Sequence, residues 1–312
     1  MQFDIELIAR EVDTFRQKIG EDYEVEVDLD RHALPFLRKV VEKMGQNRPA
    51  GFDPLDQHLS NAEVFRAAVM SLGSSMRDWA VFKRRADAAN LDEVLHHYDP
   101  AAVADDVDRA ALESIFYGLT ARTDIDAIIK WAHRLAADDD YYATICDVGN
   151  AFNDLNGAPL DPAHLMPCVV SYFVNPTVRW PGNEYLTRAA VVPVAERKVP
   201  GMSHALGSEF LRNLGWPGFK PDVHIVGLLN TWVEHDELSA LAATAGFERL
   251  LMLIKQRNQP VQNYLRYTLA GVALTPEHMT YTETDNLLWM FGHYVGSKQA
   301  KKTADDGRPF VS

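Results

Sequence analysis

In the stretch GWPGFKPDVHIVGLLN (215–230), Asp222 follows a proline and precedes His224 by two residues, where a turn-rich segment gives way to an apolar run. A carboxylate so placed has two uses. It can cap a helix by accepting the first free backbone N–H groups, or it can stabilise developing positive charge and orient or deprotonate water in a hydrolysis. His224 reads as a polar group bonded within the helix start. A metal site on Asp222 and His224 would need further ligands, for which His235 and Asp236 are the later candidates.

The residues just before the acid define what presents it. In VPGMSHALGSEFLRNLGW (199–216), Pro200 and Gly201 make a tight turn and Ser203 is placed as an N-cap. Met202, Leu206, Phe210 and Leu214 fall on one helical face, and Gly215 is a C-terminal stop. A short hairpin therefore feeds a helix of about three turns. The chain turns again at Pro217 and Gly218, and a second helix starts near Asp222.

This pair of segments resembles the helix-hairpin-helix DNA glycosylase superfamily. That family carries a hairpin of the form L-P-G-V-G-x-K-T-A, a helix, and a loop ending in V-D-T-H-V or, in alkylpurine glycosylases, P-D-D-Y-L. Here the hairpin reads Val199, Pro200, Gly201, Met202, Ser203, His204, Ala205, Leu206, Gly207, and the acid segment reads Pro221, Asp222, Val223, His224, Ile225. The LRNLGW ending and the upstream VFRAAVMSLGSS (64–75) are similar to the family as well. The departures are Ser203 for the second hairpin glycine, Ala205 where bifunctional members carry a Schiff-base lysine, and Gly227 where a basic residue is usual. Gly73 and Ser74 occupy the loop that often holds an intercalating side chain, and the iron–sulfur cysteines are absent.

The resemblance implies an all-α, two-lobed fold with few or no strands and a monofunctional N-glycosylase that removes a damaged or modified base. Asp222 would be the catalytic carboxylate, kept ionised by the start of its own helix and by Lys220. Pro200, Gly201, Met202, Ser203 and His204, with Lys198 and Lys220, would hold DNA phosphates. Tyr172, Trp180, Trp216 and Trp232 are candidates to stack on a flipped base. The partner would be double-stranded DNA with a flipped base. No cofactor is implied beyond a monovalent cation at the hairpin, and no lyase step follows without the lysine. Two other readings stay open: a non-catalytic helix-hairpin-helix protein that binds DNA or a protein partner, and a small-molecule hydrolase using Asp222 and His224.

The rest of the chain supplies the frame. Its 312 residues are 47% hydrophobic, enough for one large core or two modest lobes. The net charge of −13 argues against a protein that binds nucleic acid over its whole surface. Residues 177–220 nevertheless hold six basic against three acidic side chains. Helical periodicity dominates in 60–72, where Ser60 and Glu63 form a capping box, and in 125–136, 237–257 and 286–296, with Thr275 and Pro276 as a further helix start. Strand-like runs are limited to 23–29, 167–174 and 189–194, and 151–182 reads as an ordered loop insertion. The lobes are expected at 55–216 and at 1–54 plus 217–300, with Asp222 at their junction and 301–312 a disordered tail. Trp79, Trp131 and Trp289 fall on helical faces as core, and Cys146 and Cys168 read as small buried residues. His96, His97 and the acidic runs read as solvated surface. No apolar run has membrane-spanning length and the start lacks a basic patch before an apolar core, so a cytoplasmic location is expected.

Overall fold

A computed structural model of the chain describes residues 1–28, 32–48, 52–138, 140–174, 198–244, 259–296 and 310–311. Among these residues there are sixteen α-helices and no strand, the all-α class expected. In chain order they are α1 (Ile5–Asp13), α2 (Arg16–Tyr23), α3 (Ala33–Met44), α4 (Asn61–Gly73), α5 (Trp79–Ala88), α6 (Leu91–Val94), α7 (Pro100–Asp105) and α8 (Arg109–Ile115). There follow α9 (Ala121–Ala136), α10 (Tyr141–Asn156), α11 (Pro162–Val174), α12 (His204–Asn213), α13 (Val223–Trp232), α14 (His235–Thr244), α15 (Gln259–Leu274) and α16 (Tyr281–Met290). A π-helical turn over Phe291–Val295 continues α16. No helix among the described residues is long and apolar enough to cross a membrane.

Local chemistry sets many of these boundaries. Ser60 and Glu63 form the anticipated capping box at the start of α4, each side chain meeting the other's backbone N–H. Asp4, Asp78, Asp99, Asp108, Asp140 and Asp222 each accept N–H groups at the starts of α1, α5, α7, α8, α10 and α13. Thr275 and Pro276 do not start a helix. The Thr275 hydroxyl donates back to Gly271 O at the end of α15, and the next helix begins after Thr280, whose capping box with Glu283 opens α16.

Three other expectations change. Of the strand-like run 23–29, Tyr23 ends α2, Glu24 caps it in the left-handed region and the described residues 25–28 form no strand. PCVVSYFV (167–174) is the C-terminal part of α11, a buried helix opened by Pro162 and by the Asp161 carboxylate, which accepts the Ala163 N–H at 2.8 Å. A short apolar run with β-branched residues is compatible with either period, and here the helix prevails. The same helix and the end of α10 occupy most of the described part of 151–182, which is therefore helical and not a loop. Residues 189–194, 245–257 and Trp180 lie outside the described residues.

The chain divides into two compact units, residues 1–52, 160–168 and 215–312 in one, and 53–159 and 169–214 in the other. The first packs α1, α3, α13, α15 and α16 around Ile8, Val40, Leu229, Leu265 and Leu288. An aromatic group of Phe3, Trp232, Phe291 and Phe310 closes it, with Phe310 stacked on Trp232 at 4.7 Å. Phe310 and Val311 fall in the stretch expected to be a disordered tail, yet both are buried, and Val311 bridges Phe3. The second unit is centred on α4, α9 and α12. On α9, Ile125, Ile128, Trp131, Ala132 and Leu135 form the buried stripe that meets α4.

Candidate functional site

The hairpin belongs to the second unit and rests on one face of α9. Ala127, Trp131 and Arg134, at positions i, i+4 and i+7, meet it in succession. A Cβ placed on Gly201 would lie 2.5 Å from the Ala127 Cβ, the Trp131 indole N–H donates to Pro200 O at 3.1 Å, and Arg134 donates to Lys198 O at 3.0 Å. Val199 N–H donates to Phe173 O. Gly201 has φ +70°, so both its conformation and the absence of a side chain are required. Trp131 is fully buried, as expected, and its polar edge fixes the turn.

Ser203 caps α12, its hydroxyl accepting the Leu206 N–H at 3.5 Å. Gly201 and Ser203 are exposed, and their N–H groups meet no acceptor among the described residues. Met202 is buried, so only its backbone is available to a ligand. Lys198 is exposed. His204 differs from the expected phosphate partner: burial lowers its pKa to about 4, so at neutral pH the ring is uncharged.

At the same end of this unit are two residues that sequence reasoning passed over. The Gly73 and Ser74 positions, taken as the intercalating loop, point elsewhere: a Gly73 Cβ would strike the Phe82 ring, and Ser74 bonds back to Ser71 O. The tip of that loop is Met76, 84% exposed and at φ +49°. A second exposed apolar residue is Leu119, 98% exposed, on the loop after Gly118. The two loops are joined through Arg77, whose side chain is 1% exposed. Leu72, whose carbonyl accepts from Arg77 at 3.0 Å, is also the residue that a Gly201 Cβ would approach to 3.1 Å. The available signal was an apolar residue in each of two turn-rich segments, SSMRD and YGLTA.

Asp222 belongs to the first unit. Its Oδ1 accepts the His224 and Ile225 N–H groups at 2.9 and 3.1 Å, so it is the N-cap of α13. Its Oδ2 has no hydrogen-bond partner among the described residues, and the residue is half-buried. The loop that delivers it is tightly held. A Cβ on Gly215 would meet Arg48 and Phe52, and one on Gly218 would meet Met166. Phe219 is fully buried against Gly271, and the buried Asp285 carboxylate accepts the Lys220 N–H at 2.9 Å. His224 is half-buried and packs edge-on to Trp289 and His293, which stack on each other at 4.9 Å. Trp289 and Trp79 are half-buried and not sealed in the core.

Of the described candidates for a base pocket, two are sealed and one is half-buried. Tyr172 is 2% exposed and edge-on to Phe173, Trp216 is fully buried, and Trp232 lies within the aromatic group of the first unit. The rings of Tyr172 and Trp216 are taken up by core packing, and the stacked face of Trp232 is covered by Phe310. Cys146 and Cys168 are buried and burial raises both thiols, Cys146 to about 12, so neither is a nucleophile at neutral pH. No group of three His, Cys, Asp or Glu side chains among the described residues converges as a metal site. His96 and His97 are exposed, and the Asp92 carboxylate raises His97 above its ordinary pKa.

No protein-family model, no curated protein and no solved structure matches the chain.

Proposed function

We propose that this protein binds duplex DNA through the 198–203 hairpin and hydrolyses the N-glycosidic bond of an extruded nucleotide with Asp222 as the carboxylate. The observation that carries the reading is in the second unit. There, an exposed glycine turn with bare N–H groups is fixed on α9 and linked through Leu72 and Arg77 to the loops that carry Met76 and Leu119. Bare amides suit a phosphate oxygen, and apolar tips suit insertion between base steps. Met76 and Leu119 are 84% and 98% exposed, so both side chains are open to a partner.

For the chemical step, Asp222 keeps one oxygen available while the other caps α13, and the start of that helix favours a negative charge. The positive charge that develops on the sugar would be stabilised by that carboxylate, which would also orient water. Ala205 leaves no amine for a lyase step. A non-catalytic DNA-binding protein is the second reading, favoured by the capping role that already accounts for Asp222.

The test is incubation with duplexes that each carry one lesion, followed by alkali to reveal abasic sites. Wild type should release at least one base, and Asp222→Asn should slow release by on the order of 100-fold or more. Asparagine caps a helix as well as aspartate, so the variant should melt near wild type. Duplex binding without release across a broad panel would leave the non-catalytic reading.

A further inference from the structure

Met76 and Leu119 stand on different loops, and each is flanked by residues that the same buried guanidinium holds. Arg77 Nε donates to Tyr117 O at 2.8 Å, and Nη1 donates to Leu72 O and Ser75 O at 3.0 Å each. Nη2 donates to the Thr120 hydroxyl at 3.2 Å and to Asp124 Oδ2 at 2.7 Å. Ser75 precedes Met76 and Arg77 follows it, while Tyr117 and Thr120 bracket Gly118 and Leu119. Two further bonds tie the loops: the Thr120 hydroxyl to Ser75 O at 3.5 Å and the Tyr117 hydroxyl to Asp78 O at 3.3 Å. The guanidinium also lies over the Phe116 ring at 5.3 Å. No lysine can reproduce this, because an ammonium has three donors and no planar fork.

We propose that Arg77 is a positioning residue that couples Met76 and Leu119 into a single two-pronged element, so that the prongs enter a duplex together or not at all. The inference rests on the DNA-binding reading above and adds a mechanism to it. A left-handed φ at a non-glycine residue such as Met76 is costly and persists only where the surroundings determine it. The Arg77 bonds to Leu72 O and Ser75 O supply that determination on one loop, and the bonds to Tyr117 O and Thr120 tie the second loop to the same group.

The test uses the full chain and a short duplex carrying 2-aminopurine beside a single mismatch, with fluorescence reporting unstacking and anisotropy reporting binding. Wild type should bind and raise the fluorescence. Met76→Ala and Leu119→Ala should each remove most of the rise, and the double variant should remove little more. Arg77→Lys, confirmed as folded by its melting curve, should still bind through the hairpin yet give as little rise as the double variant. A folded Arg77→Lys with the full rise, or prongs that act independently in the wild-type background, overturns the coupling alone. Should Arg77→Lys fail to fold, the independence or interdependence of the two alanine variants decides the question. Wild type that binds without any rise overturns both the prongs and their coupling, and wild type that binds no duplex overturns the DNA-binding reading as well.

Discussion

His204 shows how the position of one side chain changes its chemistry. It sits at the first position of α12, within a hairpin that faces outward, and its type and place suggested a cationic contact to phosphate. Burial instead depresses its pKa from 6.5 to about 4. The unfolded chain then binds a proton that the folded chain refuses, so stability is full above pH 6.5 and falls as the pH drops from 6.5 toward 4. The shift corresponds to on the order of 3 kcal/mol. Chemical denaturation across that window should show the loss in wild type and a flatter profile in His204→Phe. Asp222 was readable at this scale because a cap requires only its immediate neighbours. The exposure of Met76 and Leu119 was not, since it depends on what every other part of the unit leaves uncovered. Tyr172, Trp216 and Trp232 illustrate the converse: residue type alone cannot separate a stacking platform from core filling.

Helix starts were the most legible features of the chain, because caps act over three or four residues. Ser60 with Glu63, Ser203 and Asp222 all lie where their spacing placed them. The run at 167–174 was misread because its composition suits either period, and burial decided the outcome. The hairpin is an element whose conformation is specified from outside, by Ala127, Leu72 and Trp131. Gly201→Val should therefore lower stability by about 2–4 kcal/mol, combining the left-handed penalty with overlap against Ala127. Gly118 has φ +86° but open space around its missing Cβ, so Gly118→Ala should cost about 1–2 kcal/mol. Urea denaturation of the two variants separates these contributions. Equal losses would mean that the packing of Gly201 on α9 contributes nothing.

For the whole molecule, the net charge of −13 is partly explained by helix capping. Seven aspartates sit at α-helix starts among the described residues, where they offset backbone partial charge. Any attraction to a polyanion must then be local. Lys198 and Arg134 are the cations flanking the turn, and titration of duplex binding against salt should give a log–log slope of about −2, roughly −0.9 for each phosphate neutralised. A slope several times steeper would place the contact on a broader basic surface.

The bridge between Phe3 and Val311 brings residues 308 positions apart in sequence into one backbone pairing, with Asp4 N–H donating to Phe310 O. Trimming the polar run after residue 296 as if it were dispensable would take Phe310 with it, strip the stacked face from Trp232 and leave Phe291 uncovered. By the same pairing, a short peptide joining the two ends would let the polypeptide be reopened at an exposed turn such as Gly157, with the original order of helices in space preserved.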